Sequence, residues 1–207
     1  MSVLRIYLRL RISQNIAHYD IAPIGELTYM SIYQGIAYWC DPSHQELFLI
    51  KPTLGGEPLR FLYGTREINR LIEGPWADEA EEIRCGKLWE DFDRFVEERL
   101  IGVSLDSPYK KPKDTYLARL DPGRDEVWEI RSRAPKPGIR VFGRFADTDH
   151  LILTNWEYRD PLGGPGSKEF EIEMRKCKAE WRKRFPTYDP YTGGSVHEYV
   201  SKAAFPV

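Results

Sequence analysis

From Val3 to Ile12 apolar and polar positions alternate, with Leu4, Ile6, Leu8, Leu10 and Ile12 on one side and Arg5, Tyr7, Arg9 and Arg11 on the other. A period of two predicts a half-buried strand. Further strand-like runs fall at Leu27–Tyr33, Ile36–Trp39 and Glu46–Lys51, separated by Gly35, the Asp41-Pro42 turn and the Gly55-Gly56 pair. The period then lengthens. Arg66–Glu73 reads as a short helix with Thr65 as its N-cap and Gly74-Pro75 as its stop. Ile83, Leu88, Phe92, Phe95, Val96 and Leu100 form the stripe of a long amphipathic helix, opened by Asp78, Glu79, Glu81 and Glu82 and ended by Gly102, with Gly86 as a point of fracture. Four strand patterns follow at Tyr116–Leu120, Val127–Arg133, Ile139–Phe145 and Leu151–Trp156, joined by connections short enough for an antiparallel meander. Phe170, Met174, Cys177, Trp181 and Phe185 step by four and three along a last helix that Pro186 stops, and Val196–Ala203 holds a short helical turn.

Composition adds a boundary to this pattern. Residues 1–75 carry 7 basic and 7 acidic groups, whereas residues 76–207 carry 23 and 25, which places a division near Pro75. The expectation is an α+β protein: a small, mostly β module over 1–75 and a second domain over 76–207 whose antiparallel sheet has helices on one face. With 42% hydrophobic and 30% charged residues, neither disorder nor a collagen-like repeat fits. The three cysteines, Cys40, Cys85 and Cys177, are too scattered for a disulfide framework or a CxxC metal site, and a reducing cytoplasm suits them. No run is apolar for long enough to span a membrane. Phosphate-cradling glycine loops and the nucleophile elbow are missing, and His18, His44 and Cys40 lack ligand spacing, so neither cofactor nor metal is expected. The net charge of −2 makes any claim of nucleic-acid binding depend on local clustering.

One cluster meets that requirement. Alternation on Val127–Arg133 sets Trp128 and Ile130 toward a core and Glu129, Arg131 and Arg133 opposite, while on the next strand Arg140 and Arg144 share the face away from Ile139, Val141 and Phe145. Arg159 follows the fourth strand. Guanidinium groups side by side repel unless carboxylates or an external anion relieve them. Glu129 and Glu157 offer the internal relief; guanidinium forks equally match phosphate oxygens. An uncovered, phosphate-binding sheet face is the sharper expectation, with Lys110, Lys111 and Lys113 in a neighbouring loop as further backbone contacts.

The run Val127-Trp-Glu-Ile-Arg-Ser-Arg133, then Gly138-Ile-Arg-Val-Phe142, then Leu151-Ile-Leu-Thr-Asn-Trp156 ending in Arg159, resembles the RelE superfamily of bacterial toxins, particularly its HigB-like, phage-derived branch. Those proteins show a similar L-W-E-[LI]-R … [YIF]-R-[VI]-[FL] pair of strands; here Val127 stands at the leading leucine. The likeness extends in layout over residues 76–186 and leaves 1–75 and 187–207 outside it. It implies a microbial ribonuclease fold that cleaves mRNA without a metal, on the ribosome, restrained by a cognate antitoxin. By motif position it implies Arg131, Arg140 and Arg159 as the catalytic cations; the strand faces and the Lys-rich loop add Arg133, Arg144, Lys110, Lys111 and Lys113 as expected RNA contacts.

The chain departs from the family where a Tyr, His or Asp near the C-terminus supplies acid or base. Tyr158, Asp160, Glu129, His150, His197 and Tyr199 all stand as candidates for that role. Two other readings follow: a catalytically idle protein of the same fold that binds nucleic acid or another protein, and a chain whose N-terminal module carries the main role.

Overall fold

Thr115 to Tyr158 supply four strands that run back and forth, as the alternation predicts, and they form the middle of a larger sheet. The computed structural model describes residues 31–105, 114–164 and 166–207. In chain order the elements are α1 (Ile32–Cys40), β1 (Leu47–Ile50), β2 (Phe61–Thr65), α2 (Arg66–Glu73), α3 (Glu79–Val96), β3 (Ile101–Ser104), β4 (Thr115–Arg119), β5 (Trp128–Ser132), β6 (Ile139–Asp147), β7 (His150–Tyr158), α4 (Lys168–Arg184), α5 (Val196–Tyr199) and β8 (Ala204–Pro206). The eight strands make one α+β sheet in the order β1-β2-β7-β6-β5-β4-β3-β8. β4 to β7 pair antiparallel, but β2 joins β7, and β3 joins both β4 and β8, in parallel. The expected strand at 3–12 and the Lys110, Lys111 and Lys113 loop lie outside the described residues.

Residues 47–73 do not form a separate β module. β1 and β2 extend the same sheet, and Ile50, Leu62, Ile68, Leu71 and Ile72 share one core with Leu88, Phe92, Phe95, Trp128 and Val141. The change of charge density at Pro75 therefore marks a helix-to-helix connection within this sheet and core. Ile36–Trp39 is helical rather than extended: Ser31 and Gln34 form a capping box, with Ser31 Oγ accepting from Gln34 N at 3.3 Å and Gln34 Oε1 from Ser31 N at 2.7 Å. α3 runs unbroken through Gly86 and ends at Val96, so Leu100 is exposed beyond it and Gly102 lies in β3. Thr65 opens α2, yet its hydroxyl donates to Thr154 O at 2.7 Å instead of capping. The last short helix covers only Val196–Tyr199.

The larger correction concerns the faces of the sheet. α2 and α3 cover one side, on which Trp128, Ile130, Ile139, Val141 and Phe145 point inward as expected. The other side is covered too. Val127 and Phe142 pack against Leu162, Phe170, Met174 and Cys177, while Leu47 and Ile152 pack with Ile36, Trp181 and Phe185. Helix α4, whose Ser167 cap accepts from Phe170 N at 3.2 Å, thus lies on the face that carries Arg140 and Arg144. Phe142, placed between those arginines, is the apolar residue that requires this cover. Among the described residues no helix is long and apolar enough to cross a membrane.

Candidate anion-binding site

Register decides which arginines meet. β5 and β6 pair so that Arg131 stands directly opposite Arg140, and Arg140 in turn stands opposite Glu157 on β7. The turn between β5 and β6 is drawn tight at Gly138, where a side-chain carbon would lie 2.7 Å from Ser132 O, and Arg159 N donates to Gly138 O at 2.7 Å. This backbone contact carries Arg159 to the same end of the sheet. Arg133 is anchored there by Nη2 donating to Thr115 O at 3.2 Å.

Glu129 is the carboxylate at the centre. Its Oε1 lies 3.2 Å from Arg131 Nε and its Oε2 3.3 Å from Arg140 Nε. Burial is deep, with Glu129 and Arg140 each 4% exposed. Arg140 Nη1 donates to Ser132 O at 3.2 Å and to Ile139 O at 3.0 Å. Neither ion pair reaches hydrogen-bond geometry: Glu129 Oε2, Arg131 Nε and Nη1 and Arg140 Nε are four of the eight buried side-chain atoms without a hydrogen-bond partner among the described residues. Buried polar atoms are ordinarily paired, so their concentration here marks an unfinished site.

Burial and mutual repulsion make its two central guanidinium groups more acidic. Burial, opposed by Glu129 and reinforced by repulsion from Arg131, Arg159 and Arg133, pushes Arg140 down to about 10. Arg131 is lowered chiefly by burial, with Arg133 and Arg159 adding to it against Glu129. Both guanidinium groups remain charged at neutral pH. Arg159 is half-buried, with Nη1 donating to Gly163 O and its guanidinium 5.9 Å from the centre of the Phe170 ring. Two guanidinium groups therefore share one buried carboxylate, with Arg133 and Arg159 close enough to repel them, an arrangement suited to an incoming oxyanion.

Other expected members are elsewhere. Arg144 points to the opposite end of β6, with Nη2 donating to Asp125 O at 2.6 Å and its guanidinium 5.5 Å from the Trp181 ring centre. Of the six acid–base candidates, only Glu129 makes an ion pair with Arg131 or Arg140. Tyr158 belongs to the other face, where its hydroxyl donates to Glu81 Oε1 at 3.3 Å. His150 sits at the far hairpin, stacked 4.6 Å from Phe61. His197 and Asp160 are exposed, and Tyr199 is buried.

Tyr199 belongs to a second buried cluster that the sequence pattern does not reveal. Glu126, 2% exposed, accepts from Arg119 Nη1 at 3.1 Å, Trp128 Nε1 at 3.2 Å and Tyr199 Oη at 2.9 Å. Glu126 has φ +48°, a left-handed conformation that ends the β4–β5 turn and that no local periodicity signals. Comparison of the chain with protein-family models, curated proteins and solved structures finds no match.

Proposed function

We propose that the chain is a metal-independent endoribonuclease of the RelE/HigB toxin type, acting in the cytoplasm on mRNA at the ribosome and held in check by a cognate antitoxin. The observation that carries this reading is the gathering of Arg131, Arg133, Arg140 and Arg159 at one end of the sheet, two of them on the carboxylate of Glu129. In such a reaction a ribose 2′-hydroxyl gives its proton to water and its oxygen attacks the adjacent phosphorus, while the bond to the 5′-oxygen breaks and that oxygen takes a proton from water, leaving a 2′,3′-cyclic phosphate and a 5′-hydroxyl. The extra negative charge of the phosphorane needs preorganised donors. Arg131 and Arg159 reach the solvent edge and supply them, while Glu129 holds Arg131 and Arg140 beside each other against their mutual repulsion. Arg140, spent on two backbone carbonyls, contributes a fixed charge from behind.

Purified protein incubated with free RNA in the presence of a chelator, and separately with translating ribosomes in magnesium buffer, tests the reading. Cleavage with cyclic-phosphate ends, falling roughly 100- to 1,000-fold for Arg159→Ala, is expected. RNA that stays intact under both conditions overturns it. The burial of Glu129 and Arg140 favours a second reading, a binding module of the same kind without turnover. Under that reading RNA is bound but never cut.

A further inference from the structure

Because α4 covers the sheet face assigned to RNA, a bound strand needs another surface, and the outer side of α4 supplies one. Between Arg175 and Arg184 the chain carries six cations and one carboxylate, in a protein whose net charge is −2. Three of the six are neutralised: Lys176 by Glu173 at 2.7 Å, Lys178 by Asp125 at 2.5 Å, and buried Arg184 by Glu46 at 3.2 Å and by Glu180. The other three, Arg175, Arg182 and Lys183, are exposed and make no ion pair among the described residues. Arg175 and Arg182 are two turns apart and share a side of the helix; Lys176 and Lys183 form a second row beside them. Each row spans about 10 Å, the length of roughly three nucleotides of a stacked strand. The helix dipole accounts for cations in the last turn only, and Arg175 lies outside it.

We infer that the outer face of α4, through Arg175, Arg182 and Lys183, is the surface on which an RNA backbone docks, with Arg159 at the N-terminal end of the same helix. This rests on the ribonuclease reading for its choice of polyanion. The phosphates are held without regard to sequence, since the three side chains are cations that meet the backbone charge.

The test uses the full chain, a short fluorescein-labelled oligouridine and anisotropy titrations between about 50 and 200 mM salt. Replacing the three residues together (R175E/R182E/K183E) is expected to weaken binding at least tenfold. The slope of log affinity against log salt should fall by about 2, from the loss of three phosphate contacts on a single strand. All three side chains are exposed, so an unchanged circular dichroism spectrum is expected, with a slightly lower melting temperature because glutamates at 182 and 183 oppose the helix dipole. Wild-type affinity and slope in the triple variant overturn the docking surface, whether or not RNA is cleaved. A wild type that binds through these residues but never cuts leaves the surface standing and overturns the ribonuclease reading instead.

Discussion

Glu126 and Glu129 lie three residues apart, are almost equally buried, and each faces arginine, yet their surroundings differ in kind. Glu126 meets one guanidinium and two neutral donors, each within hydrogen-bond distance. Glu129 meets two guanidinium groups at 3.2 and 3.3 Å without hydrogen-bond geometry, and two more arginines repel those from nearby. A charge removed from water is tolerated when its partners satisfy it fully. The first cluster meets that condition and ties the β4–β5 turn to the C-terminal helix. The second does not, and its guanidinium groups repel one another. Burial of a carboxylate is thus no guide to its role; the balance and geometry of its partners are.

The contrast can be broken by substitution. Glu126→Ala should produce the largest loss, about 3–5 kcal/mol in denaturant unfolding, because the half-buried Arg119 loses its carboxylate and the buried Trp128 Nε1 its acceptor. Tyr199→Phe keeps the ring and removes the hydroxyl bonded to Glu126, at a cost of about 1–3 kcal/mol. It also changes the response to alkali. Burial, with help from the bond to Glu126, raises Tyr199 from 10.0 to about 12, so the unfolded chain loses this proton first and wild-type stability should fall as pH rises from 10 to 12. The phenylalanine variant should lack that part of the decline in pH-dependent unfolding curves. The smallest effect belongs to the other cluster: replacing Glu129 by Leu together with Arg131 and Arg140 by Met removes the whole triad and should leave stability unchanged or raise it by about 1 kcal/mol. A loss as large as that of Glu126→Ala would mean that the two clusters are alike after all.

Much of this arrangement is visible in the order of residues. The four-three stepping from Phe170 to Phe185 marks α4, and alternation on β5 and β6 assigns the arginines to one face because strand geometry has a strict period. What covers that face is harder to read. Phe142 and Ile152 lie on it beside Arg140 and Arg144, and a mixed face can be taken for a wet one when the arginines are counted and the apolar residues between them are not. Ile36–Trp39 is misread for another reason, since a short apolar run fits helix and strand equally. The deciding signal is Ser31 with Gln34, three positions on. Glu126 depends on a left-handed backbone and on Tyr199, 73 residues away, which local pattern does not encode.

The parallel seam between β2 and β7 has a consequence for anyone shortening the chain. Residues Phe61–Gly64 shield the flank of β7 from His150 to Leu153, beside a strand of nine residues. A fragment beginning at Asp78 keeps the meander and the arginines but bares that flank, with a row of unmated amide and carbonyl groups open to any other extended chain. Such a truncate would self-associate into β-rich aggregates, so its silence in a toxicity assay would report a damaged sheet rather than a missing activity.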